Sequence, residues 1–75
     1  MGSPNKRLVA LRKAKHLSQI ELAQLVGVSI QLIRCWEKGL VELKKASYEN
    51  VMKLADVLEV DPEELVPEKE WRTKL

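Results

Sequence analysis

Seventy-five residues, 45% hydrophobic and 32% charged, are enough for one small domain and exclude a disordered chain. The net charge of +2 points to no partner by itself, yet residues 1–45 carry nine Lys/Arg against three acids and residues 46–75 four against eight, a polarity that turns the basic half toward a polyanion. Apolar runs stay too short for a transmembrane span or signal peptide, and the lone Cys35 excludes an internal disulfide and fits a reducing cytosol.

Residues 1–5 read as an N-terminal arm, with Met1-Gly2-Ser3-Pro4 readable as a cloning remnant. Residues 6–15 form a first predicted helix, with Leu8, Leu11 and Ala14 on one face and Lys6, Arg7, Lys13 and Lys15 over the rest. His16-Leu17 ends it. Ser18 stands three residues before Glu21, the spacing of a capping box, and Leu17 precedes it as a hydrophobic staple would. The second helix, 19–26, is expected to bury Leu22, Ala23 and Val26, with Ile20 or Leu25 partly covered. Gly27 falls where the connection needs a positive φ, and Ser29 can cap a third helix over 30–38. There Ile33 and Trp36 make an inward stripe, and Gly39 is the stop signal.

Leu40–Ala46 lacks a clear period and reads as a loop or short turn, with Leu40, Val41 and Leu43 folding back on the core and Lys44 and Lys45 outward. A fourth helix over 47–59 has the clearest period, Val51, Leu54, Ala55 and Leu58, with Met52 flanking it. Asp61-Pro62-Glu63-Glu64 starts a fifth: a cap, a proline at the first helical position and two acids on the positive dipole end. Leu65 and Val66 can pack back before Pro67, and residues 67–75 are a charged tail. With no strand alternation the prediction is an all-α, compact five-helix domain over residues 6–66. Its second and third helices, short and tightly joined, have the pattern of a DNA-binding helix-turn-helix, whose second helix enters the major groove.

Read together and in order, Leu11-Arg12, Leu17-Ser18-Gln19, Glu21-Leu22-Ala23, Gly27-Val28-Ser29, Ile33, Trp36-Glu37-Lys38-Gly39, Leu54-Ala55, Leu58, Val60 and Glu64-Leu65 make the chain resemble the Cro/repressor (XRE-type) helix-turn-helix family of phage and bacterial regulators. The resemblance implies a repressor-like domain that binds double-stranded DNA, acting as a cytoplasmic homodimer on a two-fold-related site. It matches Arg12 and Glu37 to a salt bridge between the first helix and the end of the third. It gives Gln19 a phosphate, contacted by side chain and helix N-terminus together. Gln31 is the first choice for base readout, because a glutamine near the start of that helix can grip an adenine edge bidentately. Ile30 and Leu32 could lie against thymine methyls, and Cys35, one turn beyond Gln31 on the exposed face, would make weak contact as an unreactive thiol. Ser29, Arg34, Lys38, Lys44 and Lys45 are the remaining phosphate candidates. The loop between Gly39 and Ser47 is longer than the usual family spacing. Val66, Trp71 and Leu75 are candidate dimer contacts.

Other classes fare worse. No Ser-His-Asp constellation, glycine-rich phosphate loop or metal-ligand cluster is present, so neither an enzyme nor a metal or other cofactor is expected; His16 reads as a solvated helix-end residue. The rival reading is a protein-interaction module or an antitoxin-like protein, with Ile30 and Leu32 meeting a protein partner.

Overall fold

The computed structural model describes residues 3–69, which form five α-helices: α1 (Lys6–Ala14), α2 (Gln19–Val26), α3 (Ile30–Lys38), α4 (Tyr48–Leu58) and α5 (Pro62–Leu65), with a short 3-10 turn at Leu43–Lys45. Local chemistry starts each of the first four. The side chains of Asn5, Ser18, Ser29 and Ser47 accept the N–H of Leu8, Glu21, Leu32 and Asn50, each three residues on, at 3.0–3.1 Å. At Ser18 the box is complete, because its own N–H donates to Glu21 Oε1 at 2.8 Å. Asp61 stands at the N-cap of α5 without a side-chain cap bond.

The same four helices end alike. A left-handed residue follows each: His16 (φ 59°), Gly27 (86°), Gly39 (81°) and Glu59 (60°). The next residue's N–H then reaches back five positions, Leu17 to Arg12, Val28 to Ala23, Leu40 to Cys35 and Val60 to Ala55, at 3.0–3.2 Å. This is the Schellman ending, which satisfies carbonyls that the last turn leaves open. In three of the four, the residue so placed (Leu17, Val28 and Val60) packs against the core. At Gly27 a Cβ would meet nothing within 4 Å, so its requirement is purely conformational. Gly27→Ala is therefore expected to cost about 1–2 kcal/mol, and Gly27→Asn less, because asparagine tolerates the left-handed region. Urea midpoints of the two variants check this, and equal losses would refute the conformational account.

The core gathers Leu8, Leu22, Ala23, Val26, Ile33, Trp36, Leu43, Val51, Leu54, Ala55, Leu58, Leu65 and Val66. Helix α2 packs against both α3 and α4, α1 packs against α3, and α5 against α4. Lys15 and Glu59 form an exposed ion pair between the ends of α1 and α4, and hydrogen bonding to Lys15 holds the Glu59 carboxyl below its ordinary range.

Several expectations need correction. Ala14 is exposed; the reversal at His16 brings Leu17 onto the core in its place. Both Ile20 and Leu25 are exposed, as is Met52, since each lies outside the covered arc of its helix. Of the three loop residues expected on the core only Leu43 arrives. The N–H groups of Leu40 and Val41 both donate to the Cys35 carbonyl, which wraps the backbone over the end of α3 and leaves their side chains outward. Val66 is 1% exposed inside its own domain, so it offers no surface to a second copy. Trp71 and Leu75 lie outside the described residues. The arm is not idle either: Asn5 caps α1, and its N–H donates to the Glu37 carbonyl at 2.9 Å.

Candidate nucleic-acid interface

Helix α3 divides its residues between two tasks. Ile33 and Trp36 point inward and are fully buried, anchoring it over α2, where Ala23 is also buried. Gln31, Arg34 and Lys38 are exposed, and their i, i+3, i+7 spacing makes them one polar stripe along the outer face. Ile30 and Leu32 are half-buried and pack against the core, so their apolar character is largely explained by packing. Cys35 is half-buried rather than fully on the exposed face, and its carbonyl is taken up by the turn that follows.

Behind the stripe lies the one buried charged residue among those described, Glu37, at 6% exposure. Its Oε2 accepts Arg12 Nε at 2.6 Å, and its Oε1 accepts Arg12 Nη2 at 3.3 Å and Gln19 Nε2 at 2.9 Å. Arg12 Nη1 donates to the Leu17 carbonyl at 2.8 Å. A carboxylate buried this far needs a full set of donors, and here α1 and α2 supply them to a side chain of α3. No buried side-chain nitrogen or oxygen among the described residues lacks a partner.

The network reaches the surface through Gln19. An ionised Glu37 only accepts, so the Gln19 amide nitrogen must face it and the amide oxygen must face away. That oxygen accepts Arg34 Nε in a long hydrogen bond of 3.4 Å. Gln19 is thus half-buried and committed between two charged groups rather than directed freely outward.

The remaining candidates lie at element ends. Ser29 is exposed; its oxygen accepts the Leu32 N–H, and its hydroxyl hydrogen stays available. Lys44 and Lys45 are exposed on the 3-10 turn. That turn is tied down by Lys69, whose Nζ donates to the carbonyls of Lys44 (2.8 Å) and Ala46 (2.6 Å) and sits 4.6 Å from the centroid of the Tyr48 ring. Neither Asn5 nor Lys69 figures among the residues read from sequence. An asparagine three residues before the first buried leucine was a readable cap signal, whereas nothing local to Lys69 announces its partners. No group of three His, Cys, Asp or Glu that could hold a metal occurs among the described residues, and no helix there is long and apolar enough to cross a membrane.

Comparison with known proteins adds to this geometry. A helix-turn-helix family model (HTH_3) matches residues 8–65. Among solved structures, the restriction-modification controller protein C.AhdI from Aeromonas hydrophila is 39% identical, over 81% of this chain and 88% of that one, with a TM-score of 0.72. The P22 c2 repressor protein, solved in complex with synthetic operator 9T in the presence of Tl+, is 31% identical over 87% and 94%, with a TM-score of 0.74. A chain of the SinR protein/SinI protein complex is 28% identical over 93% and 66%, with a TM-score of 0.76. No curated protein sequence matches.

Proposed function

The chain belongs to the XRE-type helix-turn-helix family, and from that membership we propose that it is a sequence-specific, double-stranded-DNA-binding transcriptional regulator that lays α3 in the major groove. The observation that carries the reading is the division of α3, with Ile33 and Trp36 locked inward and Gln31, Arg34 and Lys38 left as a polar stripe. A recognition helix needs both halves, a rigid seat and side chains free to reach base edges. The P22 c2 repressor, similar over most of both chains, was solved on an operator, which supports the same use of the fold here. The role is one of binding, not catalysis, carried out in the cytoplasm where the DNA lies.

Gln31 is the adenine reader in this scheme. The exposed Lys44 and Lys45, Lys38 in the last turn of α3, and Ser29 at its start are the phosphate contacts. The first N–H groups of α2 can serve a phosphate without the Gln19 side chain. A homodimer would place two copies of α3 on an inverted repeat with half-site centres about 34–36 Å apart. Selection from random duplexes tests base readout and spacing together. Gln31→Ala is expected to relax preference at one base pair, at about 1–3 kcal/mol. Lys45→Ala should weaken all duplexes alike and flatten the salt dependence by about one unit of slope. Affinity without salt dependence would overturn the proposal.

A second reading, capture of a protein partner, is favoured by the exposed Ile20 and Leu25 of α2 and Leu40 and Val41 after α3, and by the likeness to a chain of a protein–protein complex. It can coexist with DNA binding, because those side chains lie outside the Gln31–Arg34–Lys38 stripe.

A further inference from the structure

Among the described residues, Arg34 is the one on the outer face of α3 that a second helix holds. Its Nε donates to Gln19 Oε1, Gln19 Nε2 donates to Glu37 Oε1, and Glu37 is clamped by Arg12. The chain of bonds runs from a buried ion pair to an exposed guanidinium. Its polarity is set at the buried end: the acceptor-only carboxylate turns the Gln19 nitrogen inward, so the oxygen it shows outward welcomes a cation and repels a phosphate.

The atom that is used matters as much as the bond. With Nε occupied, Nη1 and Nη2 carry no bond among the described residues and form the outer edge of the guanidinium. That edge is the fork that meets the O6 and N7 acceptors of guanine in the major groove. Arg34 is also the middle member of the Gln31–Arg34–Lys38 stripe, in the central turn of α3. A residue there faces the floor of the groove, while phosphates are met from the ends of elements.

We infer that Arg34 is the guanine-reading residue of α3, and that Gln19 is its positioning residue, orienting the fork from the buried Arg12–Glu37 pair. The inference rests on the DNA-binding reading above and reassigns Arg34 from backbone contact to base contact. It also makes Gln19 act through another side chain rather than on DNA directly.

The test uses the whole chain. Duplexes are selected with the parent protein, and affinities are then measured for the best duplex and for versions with each G·C pair replaced. Arg34→Lys keeps the charge and loses the fork. It is expected to lose about 5- to 150-fold discrimination at one guanine, with the salt slope unchanged. Gln19→Met should lose part of the discrimination at that same base pair, and the Gln19→Met/Arg34→Lys double variant no more than Arg34→Lys alone. Thermal midpoints establish that each variant is folded, and Arg34→Lys, which touches no buried group, decides the matter if Gln19→Met is not. Arg34→Lys binding with the parent's motif and affinity would overturn the inference and leave the DNA-binding reading intact. So would Arg34→Ala weakening every duplex equally while flattening the salt slope, because that is the behaviour of a phosphate contact. A parent protein that binds no duplex would overturn both.

Discussion

Glu37→Ala is expected to lower stability by about 3–5 kcal/mol, the range for breaking a buried ion pair by removing one partner. The carboxylate is 6% exposed and receives three hydrogen bonds, two from Arg12 and one from Gln19. Its loss leaves the Arg12 guanidinium at 12% exposure with the Leu17 carbonyl as its remaining partner. A domain of this length has a total stability of roughly 4–11 kcal/mol, so the variant stands at the edge of folding. Urea unfolding followed by circular dichroism measures the loss. The double replacement Arg12→Met/Glu37→Leu should recover much of it, since an apolar pair of similar volume needs no donors. A loss below about 1 kcal/mol in Glu37→Ala would mean that the pair is held too loosely to govern the fold.

Trp36→Ala should cost a similar amount, about 3–5 kcal/mol, for a different reason. Trp36 is the largest fully buried side chain among the described residues, and it sits where α3 rests on the rest of the core. Among the described residues the other aromatic is Tyr48, which is exposed, so no neighbouring ring can move in to fill the space. Trp36→Leu should restore part of the loss by refilling part of the cavity. DNA affinity should fall with the folded fraction and no faster, because this side chain does not reach the outer face. Affinity falling well ahead of unfolding would show that Trp36 shapes the recognition surface directly. Positions 36 and 37 share one turn, so the combined variant is not expected to follow simple addition.

How legible each element was depends on where its determinants lie. The bounds of α2 and α3 were readable to the residue, because Ser18, Ser29, Gly27 and Gly39 mark starts and stops within a few positions of the helices they delimit. The buried faces at 22, 23, 26, at 33, 36 and at 51, 54, 55, 58 followed from the helical period. The period does not tell how wide an arc the neighbours will cover, and that is why Ile20, Leu25 and Met52 came out exposed. The stop at His16-Leu17 was readable, whereas nothing in the residue type of Glu59 announces its left-handed backbone; the two turns bring Leu17 and Val60 onto the core. Val66 could by sequence pack back or meet a partner, and the packing of α5 on α4 gives it to the core.

At the candidate interface, Gln31 could be placed outward from α3 alone. The direction of the Gln19 amide could not, because it is dictated by a carboxylate 18 positions away. Likewise Arg34 reads as one more exposed cation until that amide is seen facing it.

The capping pattern of the helices has a kinetic consequence. Four helices have both their start and their stop within their own stretch of chain, so each can begin to form before it meets the others, and domains built of such local contacts fold in microseconds to milliseconds. The Arg12–Glu37 pair joins residues 25 positions apart and closes only after α1 and α3 have docked. If that docking follows the transition state, Glu37 variants should refold at nearly the parent rate and unfold faster, moving one arm of the chevron and not the other; a slowed folding arm would place the pair in the nucleus instead. On that outcome the buried pair sets the residence time in the folded state rather than the speed of reaching it.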